Sequence, residues 1–366
     1  MNKKLLIVVL ILVVSAISFA RSLLGLIGII PWHYGYSDIF NEDRIIPEAK
    51  KIPYLEKPIE YPVITGFFIY FMWYFGKNLL GYVVLTWIFL TIFTIITSLT
   101  LYKLVKILKI DKKRLFWFVI FAPSLIVFGV YNWDVIAIMF MVLAIYFFHQ
   151  NKHIYSAVFL SLGFSAKLFP VVLLPIMLLK TDIKKSVKMV IVFLSAFLLL
   201  NGYFIVNSLE TWKTTYIFHS LREPNIDSIW ALTGLSTSAI NILSLALFLV
   251  FYFALIYNHK RYDFIALSFA SVLLLLIFNK IFSPQYILWL LPFFVLSNVT
   301  KKVFYSLETS NLIVFFSSLN FIFASKEQIF LSISKAAVIA RILLLAYIVY
   351  SVLVTNKKYV ESSVDK

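Results

Sequence analysis

The stretch from Tyr34 to Ile64, YGYSDIFNEDRIIPEAKKIPYLEKPIEYPVI, concentrates acid in an otherwise apolar chain. It follows directly on the first apolar run and holds six of the seventeen Asp and Glu residues. These acids are Asp38, Glu42, Asp43, Glu48, Glu56 and Glu60. A carboxylate held next to a hydroxyl can act as a general base. The stretch therefore contains the first candidates for chemistry, although we expect Glu42, Asp43, Glu48 and Glu56 to be merely solvated.

Polar and cationic residues also interrupt four later apolar runs, in YNWD (131–134), SAKLFP (165–170), TWKTTYIFHSLREPNIDSIW (211–230) and FNKIFSPQYILWLLP (278–292). The candidates there are Asn132, Asp134, Lys167, Lys213, His219, Arg222, Asn279, Lys280 and Gln285. Asp134 and Lys167 lie between strongly apolar segments, where ionisable groups are costly and pair or line a wet cavity. Three interpretations stay open for them: functional groups, an Asp134–Lys167 ion pair, or a Lys167 that reaches towards lipid headgroups. The isolated His33 and His219 are expected to be structural or interfacial.

One base and several cations suit the transfer of a sugar from a lipid phosphate. The leaving phosphate is stable as an anion and needs no general acid, whereas glycoside hydrolysis uses two carboxylates that flank the bond. A base that takes the proton of the acceptor hydroxyl contributes roughly 10²–10⁴-fold. Lys or Arg in a site of low dielectric constant stabilises the charge that develops on the phosphate.

The composition indicates the scaffold that positions these residues. Of 366 residues, 62% are hydrophobic and 14% charged, and the mean hydropathy is +0.94, whereas about a quarter of a soluble domain is charged. Successive apolar segments with short polar breaks predict an all-α polytopic membrane protein, with a single integral-membrane domain over residues 1–366. The absence of cysteine excludes disulfides and thiolate chemistry.

The formal net charge of +16 is explained by membrane topology. Segments 103–114, 150–153, 180–188, 259–261 and 301–302, together with the two termini, hold 20 of the 33 Lys and Arg residues. The positive-inside rule places these segments and both termini in the cytoplasm of a cell-membrane protein. A nucleic-acid partner is not expected. The N-terminal residues could form a signal peptide, but an uncleaved first helix that continues past Arg21 is favoured.

Hydropathy and charge predict about twelve transmembrane helices, in a range of 10 to 13. Their approximate bounds are 5–30, 79–102, 115–131, 135–148, 154–166, 168–179, 187–206, 231–257, 264–278, 286–296, 303–324 and 329–354. Residues 62–75 are too few for a crossing and would reverse the charge rule, so they are predicted to form an interfacial helix. Extracytoplasmic loops are expected at about 32–78 and 207–230. The short spans between residues 115 and 179 are expected to place the floor of a cavity below the outer surface.

Five motifs resemble a known family. YSDI, PYLEKPIEYP, YNWDVIAIMFMVLAIYFF, GFSAKLFPVVLLPIMLL and NKIFSPQYILWLLP occur in order over about residues 36–292. Together they resemble the GT-C-type membrane glycosyltransferases that use polyprenol-phosphate sugars, in the DUF2029/GT87-like branch of mannosyltransferases. The resemblance implies a multi-span fold whose first outer loop carries an essential acid and an interfacial helix.

The resemblance also implies roles for individual residues. Asp38 would be the catalytic base, with Glu42 and Asp43 as alternatives. Acceptor or sugar binding would fall to Glu60, Tyr61, Asn132, Asp134 and Gln285, and donor phosphate binding to Lys167, Lys280 and Arg222. The implied reaction is inverting transfer of a hexose, with mannose expected, from a polyprenyl phosphate to a lipid or glycan acceptor. No cofactor or metal is required, although a divalent ion at the acidic loop stays open.

Two other functions remain as alternatives. A transporter or flippase for a lipid-linked saccharide would also need cations near a lipid phosphate, and a non-catalytic envelope subunit would need no site. Ionisable residues well inside the predicted spans are few, namely Arg21, Glu308, Lys335 and Arg341. A carrier that alternates access is expected to have more polar groups near the middle of the membrane.

Overall fold

The computed structural model describes residues 2–41, 51–324 and 327–364, with side chains followed to Thr355. The longer α-helices are α1 (Lys3–Leu26), α2 (Val63–Gly76), α3 (Leu79–Ile107), α4 (Asp134–His149), α5 (His153–Ala166), α6 (Ile183–Asn207), α7 (Leu209–Leu221), α8 (Thr237–Tyr257), α9 (Phe264–Phe278), α10 (Lys301–Leu319) and α11 (Gln328–Val364). No β-strand occurs in these ranges. The predicted all-α class is therefore confirmed.

Short helical segments connect the longer helices. They are Trp32–Gly35, Asp38–Phe40, Lys113–Leu115, Phe116–Ile120, Pro123–Phe128, Phe169–Leu173, Leu174–Leu179, Ile229–Leu232, His259–Arg261, Pro284–Leu290, Leu291–Leu296 and Asn320–Ala324. The segments predicted as spans at 115–131, 168–179 and 286–296 are consequently interrupted rather than continuous α-helices. A proline opens the final helix of each, at Pro123, Pro175 and Pro292. Proline lacks a backbone N–H and clashes with the preceding turn, so it interrupts an α-helix but is tolerated at its start.

Six helices among the described residues are long and apolar enough to cross a bilayer. They are α1, α3, α6, α8, α10 with its continuation to Ala324, and α11 as far as Thr355. Helices α2, α4, α5 and α9 are apolar but shorter. These lengths support a membrane protein, while the total of twelve spans, the orientation and the interfacial position of α2 stay predictions.

Helix α1 continues past Arg21, as predicted, and Arg21 fastens the chain that follows. Its guanidinium donates hydrogen bonds to the carbonyl oxygens of Tyr34 at 2.5 Å, Tyr36 at 3.2 Å and Val127 at 3.2 Å. Each carbonyl would otherwise lack a partner in an apolar setting, which is costly. Arg21 is therefore a structural group that holds the segment leading to Asp38 against the C-terminal part of α1.

Two glycines allow this segment to lie so close to α1. A Cβ atom on Gly35 would lie 2.5 Å from Gly25 Cα, and one on Gly25 would lie 2.6 Å from Gly35 Cα. These distances are shorter than van der Waals contact, so only glycine fits at either position. The contact fixes where the acidic segment leaves α1.

Helices α4 and α5 form a hairpin that brings two distant charges to one level. Its turn contains Asn151 in the left-handed conformation, with φ +56°. Asp134 is the first residue of α4 and Lys167 follows the last residue of α5. Because the helices are similar in length and antiparallel, residues 33 positions apart meet at the open end of the hairpin.

Two further ionisable groups in α10 and α11 are buried and paired. The Glu308 carboxylate accepts hydrogen bonds from Ser124 N at 2.7 Å and Ser124 Oγ at 2.8 Å, at the start of the helix Pro123–Phe128. Arg341 Nη1 donates to Asn311 Oδ1 at 2.7 Å. Glu308 and Arg341 are both fully buried. Both groups therefore have structural roles, which is expected for buried charges that are hydrogen-bonded.

Candidate functional site

A cavity of about 670 Å³ collects residues from distant parts of the chain. Eight of the nine predicted site residues line it: Asp38, Glu60, Tyr61, Asn132, Lys167, Arg222, Lys280 and Gln285. The exception is Asp134, which lies behind Lys167. The tertiary structure thus assembles the predicted set in one place, without by itself assigning their roles.

Asp38 begins the short helix Asp38–Phe40 and is 6% exposed. The preceding Ser37 donates from Oγ to the carbonyl oxygens of Val130 at 3.1 Å and Tyr131 at 2.9 Å, which fastens the segment to the turn before α4. Tyr36 donates its hydroxyl hydrogen to Asp38 Oδ1 at 3.2 Å. The carboxylate is therefore held in a defined orientation at the cavity wall.

Lys167 pairs with Asp134 and also lies over aromatic rings. Its Nζ atom donates to Asp134 Oδ1 and lies 4.5 Å from the ring centroid of Tyr286 and 5.2 Å from that of Trp289. Trp289 Nε1 donates to the second oxygen, Asp134 Oδ2, at 2.8 Å. The ring of Phe169 stacks on Trp289 with centroids 4.1 Å apart. Asp134, whose side chain is 1% exposed, therefore lies in the ion pair that was one of the open interpretations. Lys167 belongs to the same pair but also lines the cavity.

Lys280 and Arg222 bring further positive charge to the same cavity. Lys280 Nζ donates to Ser220 O at 2.8 Å and to Asn241 Oδ1 at 2.5 Å, so neutral oxygens hold its ammonium group. Burial, and then the charge of Arg222, lowers the pKa of Lys280. Within the described ranges, no carboxylate lies at ion-pair distance from either cation. Among the described residues, both cations are therefore without an ion-pair partner.

The pKa of His219, on α7, reflects the positive charge concentrated in the cavity. Burial, followed by the charges of Lys167, Arg222 and Lys280, lowers the pKa of His219 to about 4. The imidazole is consequently neutral near pH 7 and lines the cavity. His219 was expected to be structural or interfacial; a position within the cation group could not be inferred from its apolar sequence neighbours.

The remaining predicted residues supply neutral polar groups and one acid. The ring of Tyr61 packs edge-on against Trp133 with centroids 5.0 Å apart. Asn132 Oδ1 accepts the backbone N–H of Asp134 at 3.0 Å. Gln285 Oε1 is buried and has no hydrogen-bond partner among the described residues. With Glu60, these groups could bind hydroxyls of a polar ligand.

Asp227 is a cavity residue that the sequence analysis did not single out. Burial raises the pKa of its carboxyl group, while a hydrogen bond from Ser318 and the charge of Arg341 act in the opposite direction. Its only sequence signal is its place in the polar segment REPNID, between Arg222 and α8.

The other acids of the first loop contribute less. Glu42, Asp43 and Glu48 lie outside the described residues, so Glu42 and Asp43 stay alternative bases. Glu56 is exposed and accepts the backbone N–H of Ile52 at 2.8 Å. Across the described part of the chain, no cluster of three or more His, Asp or Glu side chains is arranged to hold a metal ion.

Comparison with known proteins supports a family assignment. No curated protein matches the chain significantly. The sequence profile of glycosyltransferase family 87 matches residues 60–284, which is more than half of the chain. The matched region contains Lys167, Arg222 and Lys280, whereas Asp38 precedes it. The chain therefore belongs to glycosyltransferase family 87 and is a membrane glycosyltransferase.

Proposed function

We propose that the protein transfers a hexose, with mannose as the expected sugar, from a polyprenyl-phosphate donor to a lipid or glycan acceptor, with inversion at the anomeric carbon. The supporting observation is the cavity that Asp38 lines together with a group of cations formed by Lys167, Arg222 and Lys280. Polyprenyl phosphate, sugar and acceptor are inferred from the chemistry of this group.

The cations suit an anionic leaving group. Lys280 and Arg222 have no carboxylate at ion-pair distance among the described residues, so both cations remain able to bind a phosphate. Charge-assisted hydrogen bonds to phosphate are roughly twice as strong as neutral ones. They gain strength as the glycosidic bond to the phosphate oxygen breaks and charge accumulates there.

One wall of the cavity suits the hydrocarbon tail of such a donor. Val171, Val172, Phe248 and Leu275 line it and come from the segment Phe169–Leu173 and from α8 and α9. A polyprenyl chain could lie along these side chains while its phosphate reaches Lys280. A donor carried by lipid would approach from within the bilayer, between helices.

The proposed reaction assigns Asp38 the base role. Its carboxylate takes the proton of the acceptor hydroxyl as the acceptor oxygen attacks the anomeric carbon from the face opposite the phosphate. The bond from that carbon to the phosphate oxygen breaks, and its electron pair leaves with the phosphate. Tyr36 orients the carboxylate through the hydrogen bond to Oδ1. Asp134 positions Lys167 rather than touching the sugar.

The test is transfer by detergent-solubilised protein, with radiolabelled polyprenyl-phosphate mannose, glucose and arabinose and a crude lipid and glycan extract. Wild type should move label from one donor into an acceptor. Asp38→Asn should reduce this by roughly 10²–10⁴-fold, whereas Glu56→Gln, a change of an exposed acid in the same loop, should have no effect.

Two outcomes would count against the proposal. Equal loss in the Asp38 and Glu56 variants would refute the base assignment. Donor binding without turnover by wild type, together with movement of lipid-linked sugar across liposomes, would favour the transporter instead.

A further inference from the structure

Asp227 is anchored through its backbone, independently of its carboxyl group. Its carbonyl oxygen accepts a hydrogen bond from Arg341 Nη2. Just before it, Asn225 N donates to Lys280 O at 3.2 Å, and Asn225 Nδ2 donates to Ser283 Oγ at 2.8 Å. These contacts join the loop after α7 to the turn after α9. The backbone contacts alone therefore fix where the loop places Asp227.

The carboxyl group of Asp227 has unused capacity to bind a hydrogen-bond donor. It interacts with the Ser318 hydroxyl. Its Oδ1 atom, however, is buried and has no hydrogen-bond partner among the described residues. A buried acceptor without a partner is rare in folded proteins and indicates a ligand, a water molecule or strain. Since Asp227 lines the cavity, a ligand hydroxyl there would lie beside a carboxyl group that still lacks a donor.

Asp227 lines the same cavity as Asp38 and the cations, the two sets of proposed reacting groups. It also follows Arg222 on the same loop, whose backbone is hydrogen-bonded to Lys280. In the proposed reaction the transferred sugar must bridge the phosphate at the cations and the acceptor oxygen at Asp38. The ring of that sugar would occupy the cavity that Asp227 lines.

We propose that Asp227 is a specificity-determining residue whose Oδ1 accepts a hydrogen bond from one hydroxyl of the transferred hexose. This inference rests on the proposed glycosyl transfer. A site built to bind a hydroxyl discriminates strongly against the analogue that lacks it, because the buried partner is then left without a hydrogen bond. Asp227 would therefore recognise one hydroxyl of the sugar ring through a hydrogen bond and help to select the sugar.

The test uses the preferred polyprenyl-phosphate hexose and a panel of its monodeoxy analogues with wild type, Asp227→Ala and Asp227→Asn. Wild type should lose about 10–150-fold in kcat/KM on one analogue. Asp227→Ala should lower kcat/KM for the full donor by a similar factor and leave that analogue nearly unchanged, so its discrimination disappears. Asp227→Asn keeps an acceptor oxygen without its charge and should fall between the two.

Arg341→Lys is the matched control, because it disturbs the hydrogen bond to the loop that carries Asp227 while keeping both the carboxyl group and a positive charge beside it. It should lower transfer from every donor by the same factor. An Asp227→Ala variant that behaves like Arg341→Lys, or retains wild-type discrimination, would overturn the inference while leaving the proposed function intact. Failure of wild type to use any polyprenyl-phosphate hexose would overturn both.

Discussion

Removal of either member of the Lys167–Asp134 pair should destabilise the protein by a predictable amount. Lys167→Met leaves a carboxylate that is 1% exposed with Trp289 Nε1 as its remaining side-chain donor, so the cost should be about 3–5 kcal/mol. Asp134→Asn leaves a cation that is 19% exposed and lies over two aromatic rings. Cation–π attraction of about 1–2 kcal/mol offsets part of that loss, so about 2–3 kcal/mol is expected.

The double variant Lys167→Met/Asp134→Asn separates structure from function. Replacing both charges of a buried pair is often neutral, so its stability should lie within about 1 kcal/mol of wild type. If Lys167 also holds the donor phosphate, transfer should stay about 10²–10³-fold below wild type despite the restored fold.

Unfolding in detergent and transfer kinetics should be measured on the same four proteins. A double variant that recovers both stability and transfer would show that Lys167 serves the ion pair alone. Single variants as stable as wild type would show that the pair contributes little to the fold, which contradicts the burial argument.

Burial and three neighbouring cations lower the pKa of His219 to about 4, below its value of about 6.5 in unfolded chains. The free energy of unfolding should therefore be highest above pH 6.5 and fall as the pH drops towards 4, by an upper limit of about 3 kcal/mol. Thermal unfolding curves of His219→Gln should lack this fall. Gly35→Ala should lower the free energy of unfolding by about 1–3 kcal/mol and lower the rate of transfer, because the new Cβ atom would meet Gly25. Gly202→Ala should change neither, since a Cβ atom there meets no atom within 4 Å. Phe248→Ser should raise the donor KM several-fold and leave the acceptor KM unchanged; a shift confined to the acceptor would contradict the proposed place of the tail.

Hydropathy alone predicted the all-helical class and most helix positions. It failed where proline interrupts an apolar run, as at Pro123, Pro175 and Pro292. A hydropathy window registers only how apolar a segment is, and proline changes backbone hydrogen bonding without making the segment polar. Hydropathy therefore locates an apolar segment, whereas backbone hydrogen bonding decides whether that segment forms one continuous helix.

The candidate residues could be found in the sequence because ionisable groups are conspicuous between apolar segments. Asp38, Lys167 and Lys280 were identified in this way, and all three line the cavity. His219 and Asp227 were not assigned functional roles, since nothing in their local sequence distinguishes a cavity residue from an ordinary loop residue. Their significance depends on neighbours that are distant in sequence.

The sequence by itself determined that this is a membrane protein and which residue types are available for chemistry. Apolar content and the placement of charges can be read segment by segment, because each segment contributes to them independently. Only the tertiary structure decided which charges meet. It paired Asp134 with Lys167, placed Arg21 on the carbonyls before Asp38 and gathered three cations around His219. Those contacts depend on how whole helices pack, and packing is a property of surfaces that residues far apart in the chain form together.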